Sequence, residues 1–319
     1  MAKMVESVVE DAALDWLRGL GYEILSGLAI APGEPAAERS DYKQVFLFDR
    51  LQTKLEDLNP QISPEGIKEA LRKIRLVNHP TLIENNRAFH KLLVEGVPVE
   101  CRNPDGTYRT DIVRLLNWDE PGANEFLAVN QFTVEEGHFN RRPDVVVFIN
   151  GLPLAVLEFK NIADEQATIR KAFGQSQTYK AQIPSLFHSN ALLVISDGHQ
   201  AKLGTITSDW ERFMAWRTVS GRDLVPPGSL QLETLLKGVF DRHRLLEPTL
   251  KTIARELVSH VRKSVTIDWT LREAAQAQIR VLVRRILRKY GYPPDKQEKA
   301  TQTVLEQAKL LCGDWADTM

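Results

Sequence analysis

The chain has 319 residues, 43% hydrophobic and 26% charged, with a net charge of −1, a balance ordinary for a globular protein of one large or two modest domains. No apolar run reaches the ~18 residues of a membrane span, and the N-terminus turns acidic at Glu6 before an apolar core forms, which argues against a span and against a secretory signal. Near-neutral charge argues mildly against strong unaided binding to nucleic acid, and the two cysteines, Cys101 and Cys312, match no metal spacing and fit reduced thiols in a cytoplasm.

In chain order, residues 6–20 read as an amphipathic helix, with Val9, Ala13, Leu14, Trp16, Leu17 and Leu20 on one stripe and Gly21 as its left-handed stop before a strand at 22–25. A Pro- and Gly-rich loop at 31–41 leads to a helix at 49–57, broken at Asn59-Pro60. The next helix has Ser63 as cap, Pro64 in the first turn and Ile67, Leu71 and Ile74 facing inward. A third runs over 81–94, where Arg87 and His90 read as surface residues. Strand patterns follow at 97–102, 108–118 and 126–135, the first two joined by an Asn103-Pro104-Asp105-Gly106 turn. Asn130 and Gln131 read either as positioning groups or as polar residues of an edge strand, the second being the favoured reading.

The most informative stretch is 141–161. Two apolar runs flank Asn150-Gly151, a dipeptide that tolerates positive φ, so the pattern predicts a hairpin. Asp144 opens its first strand and Glu158 and Lys160 close its second, where charges are costly unless paired or bound to a metal. Glu158 and Lys160 share a face because they are two apart. A plain two-residue loop would pair Asp144 with Leu157 and turn Glu158 away, whereas an odd-length loop or a one-residue bulge brings the two acids together. The spacing therefore predicts an odd-length or bulged hairpin. Two carboxylates on one face make a hard oxygen site suited to Mg²⁺, and a neighbouring Lys can position water and offset charge on a reacting phosphate. The residues alone also admit an ion-paired strand end in a structural network, since an acid followed by an acid-x-Lys is common by chance.

Downstream, a helix over 164–180 places Gln175 and Tyr179 four apart on one face, either towards the Lys160 neighbourhood or as structural groups. A buried strand at 191–198 follows, then an α/β connection bracketed by Trp210 and Trp216, and a helix at 230–244. The order predicts an α/β fold, a mixed sheet flanked by helices, over residues 1–247. Residues 248–319 predict a small all-helical domain, with Thr270-Leu271-Arg272-Glu273 as a capping box and Tyr290-Gly291 and Pro293-Pro294 as stops. This region is basic, 13 Lys and Arg against 8 Asp and Glu. Arg280, Arg284 and Arg288 fall on one stripe, either a solvated face or a contact to DNA or an acidic partner.

Pro143-Asp144 followed by Glu158-Phe159-Lys160 resembles the PD-(D/E)xK nuclease motif, and residues 5–246 resemble the nuclease region of the restriction subunit of type I restriction-modification enzymes. The resemblance implies a restriction-endonuclease-like sheet, with Asp144, Glu158 and Lys160 as metal-binding and catalytic residues and Gln175 and Tyr179 assisting. The Phe159 carbonyl is a further candidate ligand, as is Glu10 on the first helix, which also reads as a solvated position. From about Leu250 the text resembles the same subunit's helical C-terminal region, which docks modification and specificity subunits. Between the two no Gly-x-x-x-x-Gly-Lys-[Ser/Thr] phosphate cradle occurs, so the sequence carries no ATP site of a DNA motor. The resemblance implies a cytoplasmic Mg²⁺-dependent DNA endonuclease, with Mn²⁺ as a substitute, lacking the translocase. The alternative is a non-cleaving or regulatory remnant that binds those subunits or DNA.

Overall fold

A computed structural model describes residues 2–102, 107–160, 168–198, 200–219, 224–226 and 229–242. These fall in the first of the two units into which the chain divides, Met1–Leu246. The expected C-terminal helices, with Arg280, Arg284 and Arg288, lie outside the described residues, as does the turn at 103–106. Among the described residues no helix is long and apolar enough to cross a membrane.

Helix α1 (Ala2–Gly19) ends at Gly21, whose φ of +88° turns the chain into β1 (Glu23–Ser26). Three helices follow: α2 (Phe48–Leu58), α3 (Pro64–Arg75) and α4 (Leu82–Glu95). Ser63 caps α3 by accepting from the Gly66 N–H, and Thr81 with Glu84 forms a capping box on α4. Strands β2 (Val97–Arg102) and β3 (Tyr108–Val113) pair as a separate antiparallel ribbon beside α3.

The apolar stretch at 126–135 is two strands, not one. Gln131 takes a positive φ of 55°, ending β4 (Phe126–Asn130), and β5 (Val134–Glu136) pairs instead with β6 (Phe139–Arg141). Then come β7 (Val145–Ile149), β8 (Leu152–Phe159), α5 (Ile169–Gln182), β9 (Leu192–Ser196), β10 (Ala201–Gly204) and α6 (Gln231–Val239). The central sheet has the order β1-β4-β7-β8-β9-β10 and is mixed: β1 runs parallel to β4 and β8 to β9, the other pairs being antiparallel. Strand β7 is buried throughout, as is β8, which matches their near-continuous apolar sequences. The expected α/β class with a mixed sheet flanked by helices is what the chain forms.

A half-buried ion-pair hub ties the N-terminal segments together. Arg50 of α2 binds Glu38 through two bonds of 2.5 and 2.6 Å, reaches Glu23 of β1 at 2.7 Å and also bonds Glu125. Removing the one cation leaves three carboxylates clustered, so Arg50→Ala is expected to cost ~2 kcal/mol, discounted for partial exposure. Chemical denaturation checks this; an unchanged midpoint would show that the carboxylates relax into solvent.

Candidate active site

The hairpin register decides which side chains meet. Ile149 faces Leu152 and Phe148 faces Pro153 across a two-residue Asn150-Gly151 turn, but the register then shifts, so that Val147 pairs with Ala155 and Val145 with Leu157. Leu154 is the extra residue. This bulge, expected from the sequence, carries Asp144 onto the row of Glu158. The two acids interact closely. The Phe159 N–H donates to Asp144 Oδ2 at 2.7 Å, and the Asp144 charge contributes to the shifted titration of Glu158.

Glu158 is 1% exposed. Its Oε1 accepts from Lys160 Nζ at 2.7 Å, whereas its Oε2 is buried without a well-formed hydrogen bond. Burial first, and then the Asp144 charge, push its carboxyl up to about 8 against the pull of Lys160. Lys160 Nζ also donates to the Phe159 carbonyl at 2.9 Å, and its backbone N–H is held by Ser196 O of β9 at 2.8 Å. The amine is thereby oriented on the two strands that flank it. The Phe159 carbonyl, a candidate ligand, spends one lone pair on Lys160 and retains a second.

Gln175 and Tyr179 of α5 lie together on the same side of the sheet. Gln175 Nε2 donates to the Tyr179 hydroxyl at 2.5 Å. Burial, with the Glu158 charge next in size, pushes the buried Tyr179 phenol up, so it stays a neutral group beside the carboxylates. The described residues thus gather Asp144, Glu158, Lys160, Gln175 and Tyr179 in one place.

Glu10 behaves differently from either expectation. It is 8% exposed, not solvated, and its two oxygens accept from Asn130 Nδ2 at 2.8 Å and Gln131 Nε2 at 2.7 Å. Asn130 pairs with Val145, so α1 and Glu10 cover the sheet face opposite Asp144 and Glu158. Among the described residues no three or more His, Cys, Asp or Glu side chains group to hold a metal, so Glu10 does not complete a three-carboxylate set. Asn130 and Gln131 are correspondingly not edge-strand residues: β4 is interior, and their amides anchor Glu10. The available signal was the abrupt change from Phe126-Leu127-Ala128-Val129 to two amides.

A hard divalent cation fits the remaining donors. Glu158 Oε2 is a buried oxygen without a well-formed hydrogen bond, and a second carboxylate stands near enough to raise its titration. Two carboxylates suffice for Mg²⁺, which keeps several waters and takes substrate phosphate oxygens.

Residues 3–212 match the family model described as type I restriction enzyme R protein N terminus. The chain belongs to that family. Residues 241–314 match a second model, the C-terminal region of type I restriction enzyme HindI endonuclease subunit-like proteins, so only residues 213–240 separate the two R-protein regions. A putative type I restriction enzyme MjaIXP endonuclease subunit of Methanocaldococcus jannaschii is 30% identical over 92% of the chain, which covers 29% of that relative. The type I restriction enzyme HindI endonuclease subunit of Haemophilus influenzae is 34% identical over 76% of the chain and 23% of its own length. The chain thus spans less than a third of these R-protein relatives.

Proposed function

We propose that this R-protein family member hydrolyses DNA phosphodiesters with Mg²⁺, or Mn²⁺ in its place, held by Asp144 and Glu158 with the Phe159 carbonyl as a further donor. The observation that carries the reading is Glu158 Oε2, buried without a well-formed hydrogen bond, with Asp144 and the Tyr179 hydroxyl close to the carboxylate. Burying such an oxygen is unfavourable for folding alone and becomes useful when a cation arrives. When bound, the ion supplies Lewis-acid activation of the phosphate and charge neutralisation. The protein groups do the rest. Lys160, fixed by Glu158 Oε1 and the Phe159 carbonyl, orients the attacking water and offsets charge on the phosphate. Tyr179, steadied by Gln175, adds a neutral hydroxyl beside the Glu158 carboxylate. Residues 1–247 would form the nuclease and residues 248–319 a docking domain for modification and specificity subunits.

A second reading is favoured by one observation: the chain spans only 29% and 23% of the length of the two R-protein relatives. On it the chain joins the assembly without cutting. Supercoiled plasmid with Mg²⁺ or Mn²⁺ separates the two. Nicking by wild type, abolished by EDTA and by Asp144→Ala or Lys160→Ala, supports the nuclease; equal rates for all three proteins remove it.

A further inference from the structure

The sheet face that bears the two acids carries a second charged feature. Glu158 pairs with Ile195 of β9, and Ile195 pairs with Lys202 of β10, so the three side chains share a face. Lys202 therefore stands two strands from Glu158, ~10 Å at the usual strand spacing. That distance spans roughly three phosphates of one DNA strand at 3.4 Å each along the helix axis.

Lys202 does not stand alone. Its Nζ lies 4.2 Å from the centroid of the Trp210 ring, and the guanidinium carbon of Arg170, in the first turn of α5, lies 4.7 Å from the same centroid. The ring is braced from behind, since Trp210 and Phe213 both pack edge-on against Phe173 of α5. Arg170 is exposed, and neither it nor Lys202 has an ion-pair partner among the described residues. Other cations of the described residues do meet carboxylates, as at Arg50, Arg72 and Lys237. Two cations held on one indole without a carboxylate present an anion-binding surface rather than an internal bridge.

We propose that Arg170, Lys202 and Trp210 seat the phosphate backbone of the DNA strand entering the Asp144–Glu158 site. The proposal rests on the nuclease reading for the identity of its ligand. Arg170 and Lys202 hold phosphates, and Trp210 fixes both cations and offers its rim to the sugar.

The test is fluorescence anisotropy of the full chain with a labelled duplex oligonucleotide in EDTA, across a salt series. Arg170→Gln with Lys202→Gln is expected to weaken binding roughly tenfold at low salt and to flatten the slope of log K against log salt by about two. Arg170→Gln alone, at an exposed position, flattens it by about one, so the test survives if the double variant does not fold. Lys68→Gln with Lys91→Gln removes the same charge elsewhere and leaves affinity and slope unchanged. A wild type that binds no DNA, or variants that match its affinity and slope, overturn the seat. If the binding losses occur while wild type nicks no plasmid, the seat stands and the nuclease reading falls; if wild type nicks and the variants bind unchanged, the reverse holds.

Discussion

Glu158→Gln is expected to melt at a higher temperature than wild type in EDTA at pH 8 to 9 while losing divalent-dependent nicking. The carboxyl is raised to about 8 by burial and by Asp144, well above its range in the unfolded chain. Its favourable contribution to folding is therefore fully present below the ordinary carboxylate range and is lost as pH climbs through about 8. At alkaline pH the fold carries a buried anion that the unfolded chain would hydrate. Glutamine keeps the shape, accepts the Lys160 bond through its carbonyl and directs its amide at Asp144, without the charge. One pKa unit corresponds to about 1.36 kcal/mol; discounted for relaxation and water reaching the ionised group, a gain on the order of 1–3 kcal/mol, several degrees of melting temperature, is expected. Nicking should fall on the order of a thousandfold, because the neutral amide holds a divalent ion poorly. Wild type should also lose stability from pH 6 to 9 in EDTA more steeply than the variant. Parallel pH–stability curves for the two proteins would show that Glu158 is satisfied in some other way.

The largest structural effect is expected at Gly151. Its φ of +77° lies in the left-handed region, and a Cβ there would stand 2.5 Å from Leu47 O and 2.9 Å from Leu51 N, both backbone atoms at the start of α2. The turn is clasped there, since the Leu47 N–H donates to Gly151 O at 3.0 Å. Neighbouring Asn150 is equally committed: it is fully buried, has a φ of 52°, donates to Leu115 O and Asn124 Oδ1, and accepts from the Glu125 N–H. Gly151→Ala adds left-handed strain and a contact that only backbone movement relieves. A loss of roughly 3–4 kcal/mol is expected, about 10 °C in melting temperature. A melting point within ~2 °C of wild type would mean that the turn yields without disturbing α2. Because this turn sets the pairing from which the Leu154 bulge departs, nicking should fall along with stability.

Much of this site was legible in the sequence because period-two geometry is strict. Two acids separated by Asn-Gly and an otherwise two-residue turn can share a face only through an odd shift, and the shift is present at Leu154. Helix starts at Ser63 and Thr81 were equally readable from their caps. Tertiary choices were less so. Whether 126–135 is one strand or two depends on Gln131 adopting a positive φ, which is uncommon outside glycine and is compensated here by its bond to Glu10. The role of Glu10 depends on how α1 crosses the sheet, which no local pattern records. Strand β10 is only four residues long, and Ala201-Lys202-Leu203-Gly204 shows its alternation clearly only once paired with β9. The row from Glu158 to Lys202 consequently exists only in the folded sheet.

If the bulged hairpin joins Asp144 and Glu158 into a site for one divalent ion, Mn²⁺ titration followed by electron paramagnetic resonance of the free ion will reveal it. Wild type is expected to bind a single Mn²⁺, weakened at least ~tenfold by Asp144→Asn and by Glu158→Gln and untouched by Glu233→Gln on α6. Either site variant binding Mn²⁺ as tightly as wild type would contradict a site shared by the two acids.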